Sequence, residues 1–344
     1  MSSDGMFQRL WYRGGPIWLL VLLLPLTLIF AFTVWLRRAL YRSGLLRSIR
    51  VGRPVIVVGN ISVGGTGKTP FVIWLADLLQ HRGRRVGVVL RGYGGLSVRW
   101  PRDVVPETDP LDVGDEAVLI AAQTGAIVVA APDRVAAARR AIELGAEVVL
   151  ADDGLQHYRL ARDCEIAVVD ERRAFGNGML LPAGPLREPV SRLRAVNLIV
   201  LTRRSAASVL PLPSVEVPQI VATVRLGAAT SLADKSTREL ESFRSGPVHA
   251  VAGIGNPEGF FTALEAAGLQ VIRHPLPDHQ GIQRKEIDFA DGAPVLMTQK
   301  DAVKCRPFAD ARHWEVGLDL EVSPTDAESV AALIEGILGG ASKQ

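Results

Sequence analysis

The chain has 344 residues, enough for two domains with cores of their own, and its 48% hydrophobic and 22% charged residues indicate a globular protein with additional apolar sequence. A net charge of +3 suits an anionic membrane surface or a phosphorylated substrate, but it is too small to indicate a nucleic-acid partner. The two cysteines, Cys164 and Cys305, lie far apart without CxxC spacing, which argues against a disulfide framework or a zinc site and predicts buried free thiols.

The N-terminal region predicts a membrane anchor. Residues 1–15 are interpreted as a short polar tail, and residues 16–36 follow as an apolar run without a charge. As a helix this run would be roughly 31 Å long, close to the thickness of the hydrocarbon core of a bilayer. Two arginines precede the run and six follow it by residue 53, so the positive-inside tendency places the rest of the chain in the cytoplasm. A buried helix, or one that lies in a single leaflet, is the alternative.

Residues 55–83 carry the strongest signal for nucleotide binding. Residues 55–58 (VIVV) predict a buried parallel strand, a glycine-rich turn follows, and an amphipathic helix begins at Lys68. Backbone N–H groups of such a turn cradle phosphates, while Lys68 reaches the outer phosphates and the Thr69 hydroxyl is placed for Mg²⁺. The usual glycine five residues before the Gly-Lys pair is Ser62 here, so this is a variant loop. ATP or a close relative is the expected ligand, and a turn without a ligand is the alternative.

Strands and helices alternate after this loop, which predicts a mostly parallel sheet covered on both faces. The predicted strands cover residues 85–90, 126–130, 147–151, 164–170 and 197–202. Composition changes over residues 205–246, where Pro, Ser and Ala dominate, and the pattern then resumes with strands at 248–252, 270–273, 294–297 and 314–320. We expect a P-loop nucleotide-binding α/β domain over residues 37–225 and a second α/β domain over residues 226–344. The last helix of the second domain could pack back on the first.

Two pairs of adjacent acids are candidates for chemistry. Asp152 and Asp153 follow a predicted strand, at the edge where α/β sheets bind ligands and where a carboxylate can hold Mg²⁺. Asp115 and Glu116 precede a predicted helix, and a phosphate loop needs a nearby carboxylate to accept a proton from the attacking group. An Asp-Gly turn explains the first pair without any function, and a helix cap explains Asp115.

Three further signals are weaker. Arg134 is able to neutralise phosphate charge or simply to pair with Asp133, and the residues leave that choice open. Asp278 and His279 form either polar surface or a proton-handling pair that faces a cleft. The TQKD sequence at residues 298–301 lacks the residue between Lys and Asp that the guanine-reading NKxD signature needs, so guanine specificity is not supported.

Six motifs, in order behind the apolar segment, strongly resemble those of the tetraacyldisaccharide 4'-kinase family, the lipid A 4'-kinases of Gram-negative bacteria. They are GNISVGGTGKTP at 59–70, RGYGG at 91–95, GDE at 114–116, DDGLQH at 152–157, PDHQ at 277–280 and TQKDAVK at 298–304. The resemblance covers nearly the whole chain and includes Ser62 in the loop. It implies a P-loop kinase of two Rossmann-like α/β/α lobes, with the active site between them and an N-terminal membrane helix.

The resemblance also implies roles for individual residues. Asp115 would be the catalytic carboxylate that accepts the hydroxyl proton, His279 would support it, and Lys68 would hold the phosphates. The implied ligands of Mg²⁺, direct or through water, are Thr69, Glu116, Asp152 and Asp153. The implied nucleotide-binding residues are Ser62, Val63, Gly64, Gly65, Thr66, Gly67, Lys68, Thr69 and Arg134, and the cofactors are ATP and Mg²⁺.

The implied reaction transfers the γ-phosphate of ATP to the 4'-hydroxyl of an acylated glucosamine disaccharide 1-phosphate, which forms lipid IVA in lipid A biosynthesis. Such a substrate leaves the bilayer only at a cost of roughly 0.8 kcal/mol per CH₂. The enzyme would therefore act at a membrane, and the resemblance implies the cytoplasmic face of the inner membrane. It is expected to be a monomer. A membrane-tethered P-loop ATPase switch and a soluble-sugar kinase with an incidental anchor are the alternatives.

Overall fold

The computed structural model describes residues 3–204, 216–277 and 281–341. In these ranges the helices are α1 (Ser3–Arg9), α2 (Ile17–Arg42), α3 (Lys68–His81), α4 (Pro110–Val113), α5 (Asp115–Gln123), α6 (Arg134–Glu143), α7 (Pro257–Ala266), α8 (Gln299–Cys305) and α9 (Pro324–Ala341). The strands are β1 (Val55–Gly59), β2 (Val86–Leu90), β3 (Arg102–Val104), β4 (Ile127–Ala130), β5 (Val148–Asp152), β6 (Cys164–Asp170), β7 (Leu198–Arg203), β8 (Gln219–Ser231), β9 (Thr237–Arg238), β10 (Pro247–Ala252), β11 (Gln270–Pro275), β12 (Val295–Thr298) and β13 (His313–Val322).

The strands form one continuous sheet in the order β11-β10-β12-β13-β8-β7-β6-β1-β5-β2-β4-β3, with β9 paired to β8. Neighbours are parallel except where β3 meets β4, β8 meets β13 and β8 meets β9. Parallel neighbours need a crossover between them, and α7 supplies it from β10 to β11 and α8 from β12 to β13. Helices α3 and α6 cover the two faces of the sheet in the first lobe. The predicted α/β architecture with a mostly parallel sheet is confirmed.

Two lobes share this sheet. In the first lobe the residues of β1 alternate between the two faces, so Ile56 packs in the core with α3 and Val57 packs in the core with α6. The second lobe has two clusters of its own, around Phe261 and Met297. The antiparallel pair of β8 and β13 lies between the lobes, and the predicted domain boundary at residue 225 falls inside β8. The division into two domains at that residue remains a proposal.

Helix α9, from the C-terminal end of the chain, packs against the first lobe. Val330 and Ile334 belong to the same buried cluster as α3. Arg82, just after α3, pairs with Glu328 at 2.5 Å and with Glu335 at 3.0 Å. These pairs are partly exposed and contribute little by themselves, so buried apolar surface supplies most of the attachment.

The N-terminal segment is more structured than a tail. Residues 1–15 include α1 and a short π-helical turn at Leu10–Gly14. Leu10 is buried, and the Trp11 Nε1–H donates a hydrogen bond to Pro182 O at 3.0 Å, which attaches this segment to the first lobe. Helix α2 continues to Arg42, past the predicted end at residue 36, because no glycine or proline lies between residues 37 and 43.

Helix α2 is the one described helix that is long and apolar enough to cross a membrane, by length and composition. Only 11% of its most apolar 18-residue window is buried, and the mean hydropathy there is 2.6. One stripe contacts the first lobe: Ala183 N–H donates to Thr27 Oγ1 at 3.1 Å, and Arg37 Nη2 donates to Gln156 O at 3.0 Å. The opposite side, which includes Trp18, is exposed.

The two cysteines are buried free thiols, as the sequence predicted. Burial raises the pKa of Cys164 and of Cys305 to about 12. A thiol that keeps its proton is a poor nucleophile and a poor metal ligand, so both side chains are part of the packed interior.

Candidate active site

The glycine-rich turn after β1 is held in shape by neighbouring elements. The Thr202 hydroxyl of β7 donates to Thr66 O at 2.8 Å, and Asn60 Nδ2 donates to Thr66 Oγ1 at 3.2 Å. Gly67 has a φ of +80°, and a Cβ on it would lie 3.0 Å from Thr202 Cγ2. The turn therefore needs glycine at this position to lead into α3, whose first N–H groups have no partner within the helix.

Lys68, the first residue of α3, pairs with an acid that follows β5. Its Nζ lies 3.2 Å from Asp153 Oδ1, and Arg187 Nη1 lies 2.9 Å from Asp153 Oδ2. Burial by itself raises the pKa of Asp153, but Lys68 and Arg187 outweigh it and bring this pKa down to about 2. Asp153 also has a φ of +49°, a conformation uncommon outside glycine and found preferentially at functional sites.

Asp152 ends β5 as a buried carboxylate. Burial, followed by the nearby charge of Glu116, raises its pKa to about 7. Arg134 Nη2 donates to Asp152 O at 3.0 Å, and its Nη1 donates to Ala131 O at 3.3 Å. Burial lowers the pKa of Arg134 to about 10. The contacts of Arg134 thus fix the chain at the ends of β4 and β5, and its predicted role toward phosphate stays a prediction.

The donors near Asp152 fit a hard divalent cation. Asp152 Oδ1 is buried and has no hydrogen-bond partner among the described residues, and Thr69 and Asp153 line the same cleft. In the described ranges no group of three or more His, Cys, Asp or Glu side chains is arranged to hold a metal by itself. Mg²⁺ does not require such a group, because phosphate oxygens and water complete its coordination around one or two carboxylates.

Asp115 and Glu116 form the first turn of α5, where the first lobe meets the second. Asp115 Oδ1 accepts the Glu116 N–H at 2.9 Å, and Asp115 Oδ2 lies 3.3 Å from Lys304 Nζ on α8. Glu116 Oε1 pairs with Lys300 Nζ. Gly114 holds the N-cap position, and Asp115 is the first residue of the helix, where its side chain satisfies one first-turn N–H.

One cleft of about 2820 Å³ follows the carboxyl ends of β2, β5, β6 and β7 and brings most of the predicted residues together. Its walls include Val63, Gly64, Gly65, Thr66, Gly67, Lys68, Thr69, Glu116, Arg134, Asp152 and Asp153. Ser62 and Asp115 are buried and do not form part of the walls. Asp278 and His279 lie outside the described residues, so the role given to His279 stays a prediction.

Four residues that contact this site do not appear among the residues predicted from the sequence. Arg187 and Thr202 are far along the chain from the groups they contact, so no local pattern connects them. Lys300 and Lys304 are four residues apart, a spacing that puts both on one face of a helix, but α8 is too short for the sequence to predict that helix. The TQKDAVK motif that contains them contributes to the family resemblance, which implies no role for either lysine.

A buried strand, a glycine-rich turn, a Lys-Thr pair and a helix, with carboxylates at the end of the adjacent strand, define a P-loop nucleotide-binding α/β protein. The family model described as tetraacyldisaccharide-1-P 4'-kinase matches residues 19–338. The chain belongs to this family.

Relatives named tetraacyldisaccharide 4'-kinase cover nearly the whole chain. The protein of Nitrosococcus oceani is 46% identical over 334 residues, which are 96% of this chain and 95% of the relative. That of Alkalilimnicola ehrlichii is 47% identical over 322 residues, 94% of this chain and 95% of the relative. The crystal structure of LpxK from Aquifex aeolicus in complex with ATP matches with a TM-score of 0.81 at 29% identity, over 93% of this chain and 99% of that one. The resemblance inferred from the six motifs is confirmed.

Proposed function

We propose that this protein transfers the γ-phosphate of ATP to the 4'-hydroxyl of tetraacyldisaccharide 1-phosphate and so forms lipid IVA. The observation that carries the proposal is that the phosphate loop and the apolar helix share one cleft. Thr66 and Lys68 line one side of it, and Phe30 and Val34 of α2 line another. An acceptor with acyl chains needs a phosphate cradle beside an apolar helix, whereas a soluble acceptor does not.

ATP is the proposed phosphate donor, which the ATP complex of the Aquifex aeolicus protein supports. Residues 62–69 would surround its phosphates, and Lys68 would exchange Asp153 for a phosphate oxygen. Arg187 also contacts Asp153, so that carboxylate would keep a cationic partner when Lys68 turns to the nucleotide. Arg134 would add positive charge through its Nε, which is buried and has no hydrogen-bond partner among the described residues.

The residues proposed to hold Mg²⁺, directly or through water, are Thr69, Glu116, Asp152 and Asp153. When bound, Mg²⁺ would neutralise charge on the transferring phosphate. The buried oxygen of Asp152 and the pair between Asp153 and Lys68 lie on the wall of the cleft where the phosphates would enter. Phosphoryl transfer depends mainly on such positioning and charge neutralisation.

Asp115 is the proposed base for the acceptor hydroxyl. It would take the proton of the 4'-hydroxyl while the new oxygen–phosphorus bond forms and the bond from the γ-phosphorus to the bridging oxygen of ATP breaks. The carboxylate is only 5% exposed, and its two oxygens contact the Glu116 N–H and Lys304 Nζ. His279 would support Asp115, as the family resemblance implies.

The proposed location is the cytoplasmic face of the inner membrane, with the exposed side of α2 in the bilayer. Trp18, Leu28 and Trp35 on that side are each more than half exposed, which suits contact with lipid rather than water. The arginines that follow α2 suit anionic head groups and a substrate phosphate. The protein is proposed to act as a monomer.

The test is transfer of radiolabelled γ-phosphate from ATP to tetraacyldisaccharide 1-phosphate in detergent micelles. Wild type is compared with Lys68→Ala, with Asp115→Ala and with Lys285→Ala, a control at an exposed lysine of the second lobe. We expect label on the lipid with wild type and the control, and loss of label in the other two variants. ATP hydrolysis without lipid labelling would instead support the ATPase switch, and equal use of a deacylated acceptor would support a soluble-sugar kinase.

A further inference from the structure

The contact between α5 of the first lobe and α8 of the second lobe contains two lysines opposite two acids. Lys300 and Lys304 are four residues apart, so they project from one face of α8 toward Asp115 and Glu116. The outer pair, Lys300 with Glu116, is partly exposed, with side-chain exposures of 27% and 37%. The inner pair, Lys304 with Asp115, is almost fully enclosed, at 10% and 5%. Water therefore screens the inner pair much less than the outer one.

Asp301 holds Lys304 from the other side. Its Oδ1 lies 3.6 Å from Lys304 Nζ, and its side chain is fully buried. Its Oδ2 accepts the Gly253 N–H at 2.9 Å and the Thr298 hydroxyl at 2.6 Å, so the carboxylate is fixed by the ends of β10 and β12. Lys304 thus lies between one carboxylate of each lobe.

The charges at this contact explain why a cation is needed there. Asp115 and Asp301 are both buried carboxylates, and each would destabilise the other without a positive charge between them. Lys304 Nζ is itself buried and makes no well-aligned hydrogen bond with any of the described residues. Its contacts with Asp115 at 3.3 Å and with Asp301 at 3.6 Å are therefore ion pairs.

We propose that Lys304 is a positioning residue for phosphoryl transfer, which fixes Asp115 Oδ2 so that the carboxylate is held from both lobes. This inference rests on the proposed function, in which Asp115 accepts the proton of the acceptor hydroxyl. The Oδ1 of Asp115 accepts the Glu116 N–H, a contact within the first lobe. The Oδ2 of Asp115 pairs with Lys304, which belongs to the second lobe. The base is correctly placed only when α8 is packed against α5.

The experiment compares kcat and KM for ATP and for the tetraacyldisaccharide 1-phosphate in wild type, Lys304→Met and Lys304→Arg. Lys304→Met keeps the length of the side chain and removes its charge. We expect kcat to fall on the order of 10²-fold, the cost of misplacing a reacting group by about 1 Å, with KM for ATP little changed. Lys304→Arg restores a cation and should recover part of the loss. Lys285→Met serves as the matched control, because Lys285 is an exposed lysine of the same lobe.

A double-variant cycle separates positioning from simple stabilisation. In an Asp115→Asn background, Lys304→Met should lower kcat no further, because Lys304 acts through Asp115. Equal losses in both backgrounds would overturn the proposal, as would a wild-type kcat in folded Lys304→Met. A wild type that labels no lipid would refute the proposed function together with this role, whereas an active wild type with an unaffected Lys304→Met would refute this role alone.

Discussion

Gly114 provides a sharp test of how the candidate base is positioned, because glycine is required there for two reasons. Its φ of +88° and ψ of 150° lie in a region open essentially only to glycine. A Cβ would also lie 2.4 Å from the backbone oxygen of Tyr93, which cannot rotate away as a flexible side chain can. Gly114→Ala must therefore move either the RGYGG loop or the start of α5, and the next residue along the chain is Asp115.

The expected cost of Gly114→Ala is about 3 kcal/mol of unfolding free energy, since the backbone strain alone costs about 1–3 kcal/mol and the displaced loop adds to it. For a chain of this length that corresponds to a melting temperature lower by roughly 4 °C. We expect kcat to fall on the order of 10²-fold through displacement of Asp115. Thermal unfolding followed by circular dichroism, together with the phosphate-transfer assay, measures both effects.

Gly94→Ala is the matched control within the same loop. Gly94 has a φ of +80°, but apart from its chain neighbours no atom of the described residues lies within 4 Å of the Cβ that alanine would add. This variant should carry backbone strain of about 1–2 kcal/mol without a clash and should keep most of its activity. If Gly114→Ala and Gly94→Ala lose the same stability and the same activity, the close approach to Tyr93 does not position Asp115.

Three further outcomes are expected. Thr202→Val removes the hydroxyl that donates to Thr66 O, so stability should fall by about 1 kcal/mol and KM for ATP should rise; an unchanged KM would contradict this. Burial, followed by nearby arginines, lowers the pKa of His157 from 6.5 to about 4 in the folded protein. Between pH 4 and pH 6.5 the unfolded chain therefore binds more protons than the folded one, and the unfolding free energy should fall as the pH falls. His157→Gln should flatten that slope in urea titrations, and an unaltered slope would exclude His157 as its source. The double variant Leu28→Glu and Trp35→Glu places two charges on the exposed side of α2. When anionic vesicles are sedimented, this variant should stay in the supernatant, whereas wild type should sediment with the vesicles. Undiminished sedimentation of the variant would argue against lipid contact at this side of α2.

Helices and strands could be predicted from the sequence where neighbouring residues alone determine them, as in a strand whose burial on both sides of the sheet gives a continuous apolar run. The predicted strand at residues 164–170 has the bounds of β6, and the predicted start of a helix at Lys68 is the start of α3. Both depend on neighbouring residues: β-branched side chains favour an extended buried strand, and Pro70 in the first turn of α3 needs no N–H. The sequence did not predict β8 or α8. In β8 small residues obscure the alternation of apolar and polar side chains that marks a half-buried strand, and α8 is too short to show a helical period.

The site divides in the same way between local sequence and tertiary structure. The phosphate loop was identified from the sequence because a strand, a turn and a helix N-terminus that follow one another place Lys68 and Thr69 without help from distant residues. Only the tertiary structure sets Arg187 beside Asp153 and Lys304 beside Asp115. Those contacts depend on which strands become neighbours and on how the second lobe packs against α5. Such long-range pairings leave no periodic pattern in the chain. The local sequence around each residue determines its own helix, strand or turn, and that local structure is the same whether or not the distant partner is near.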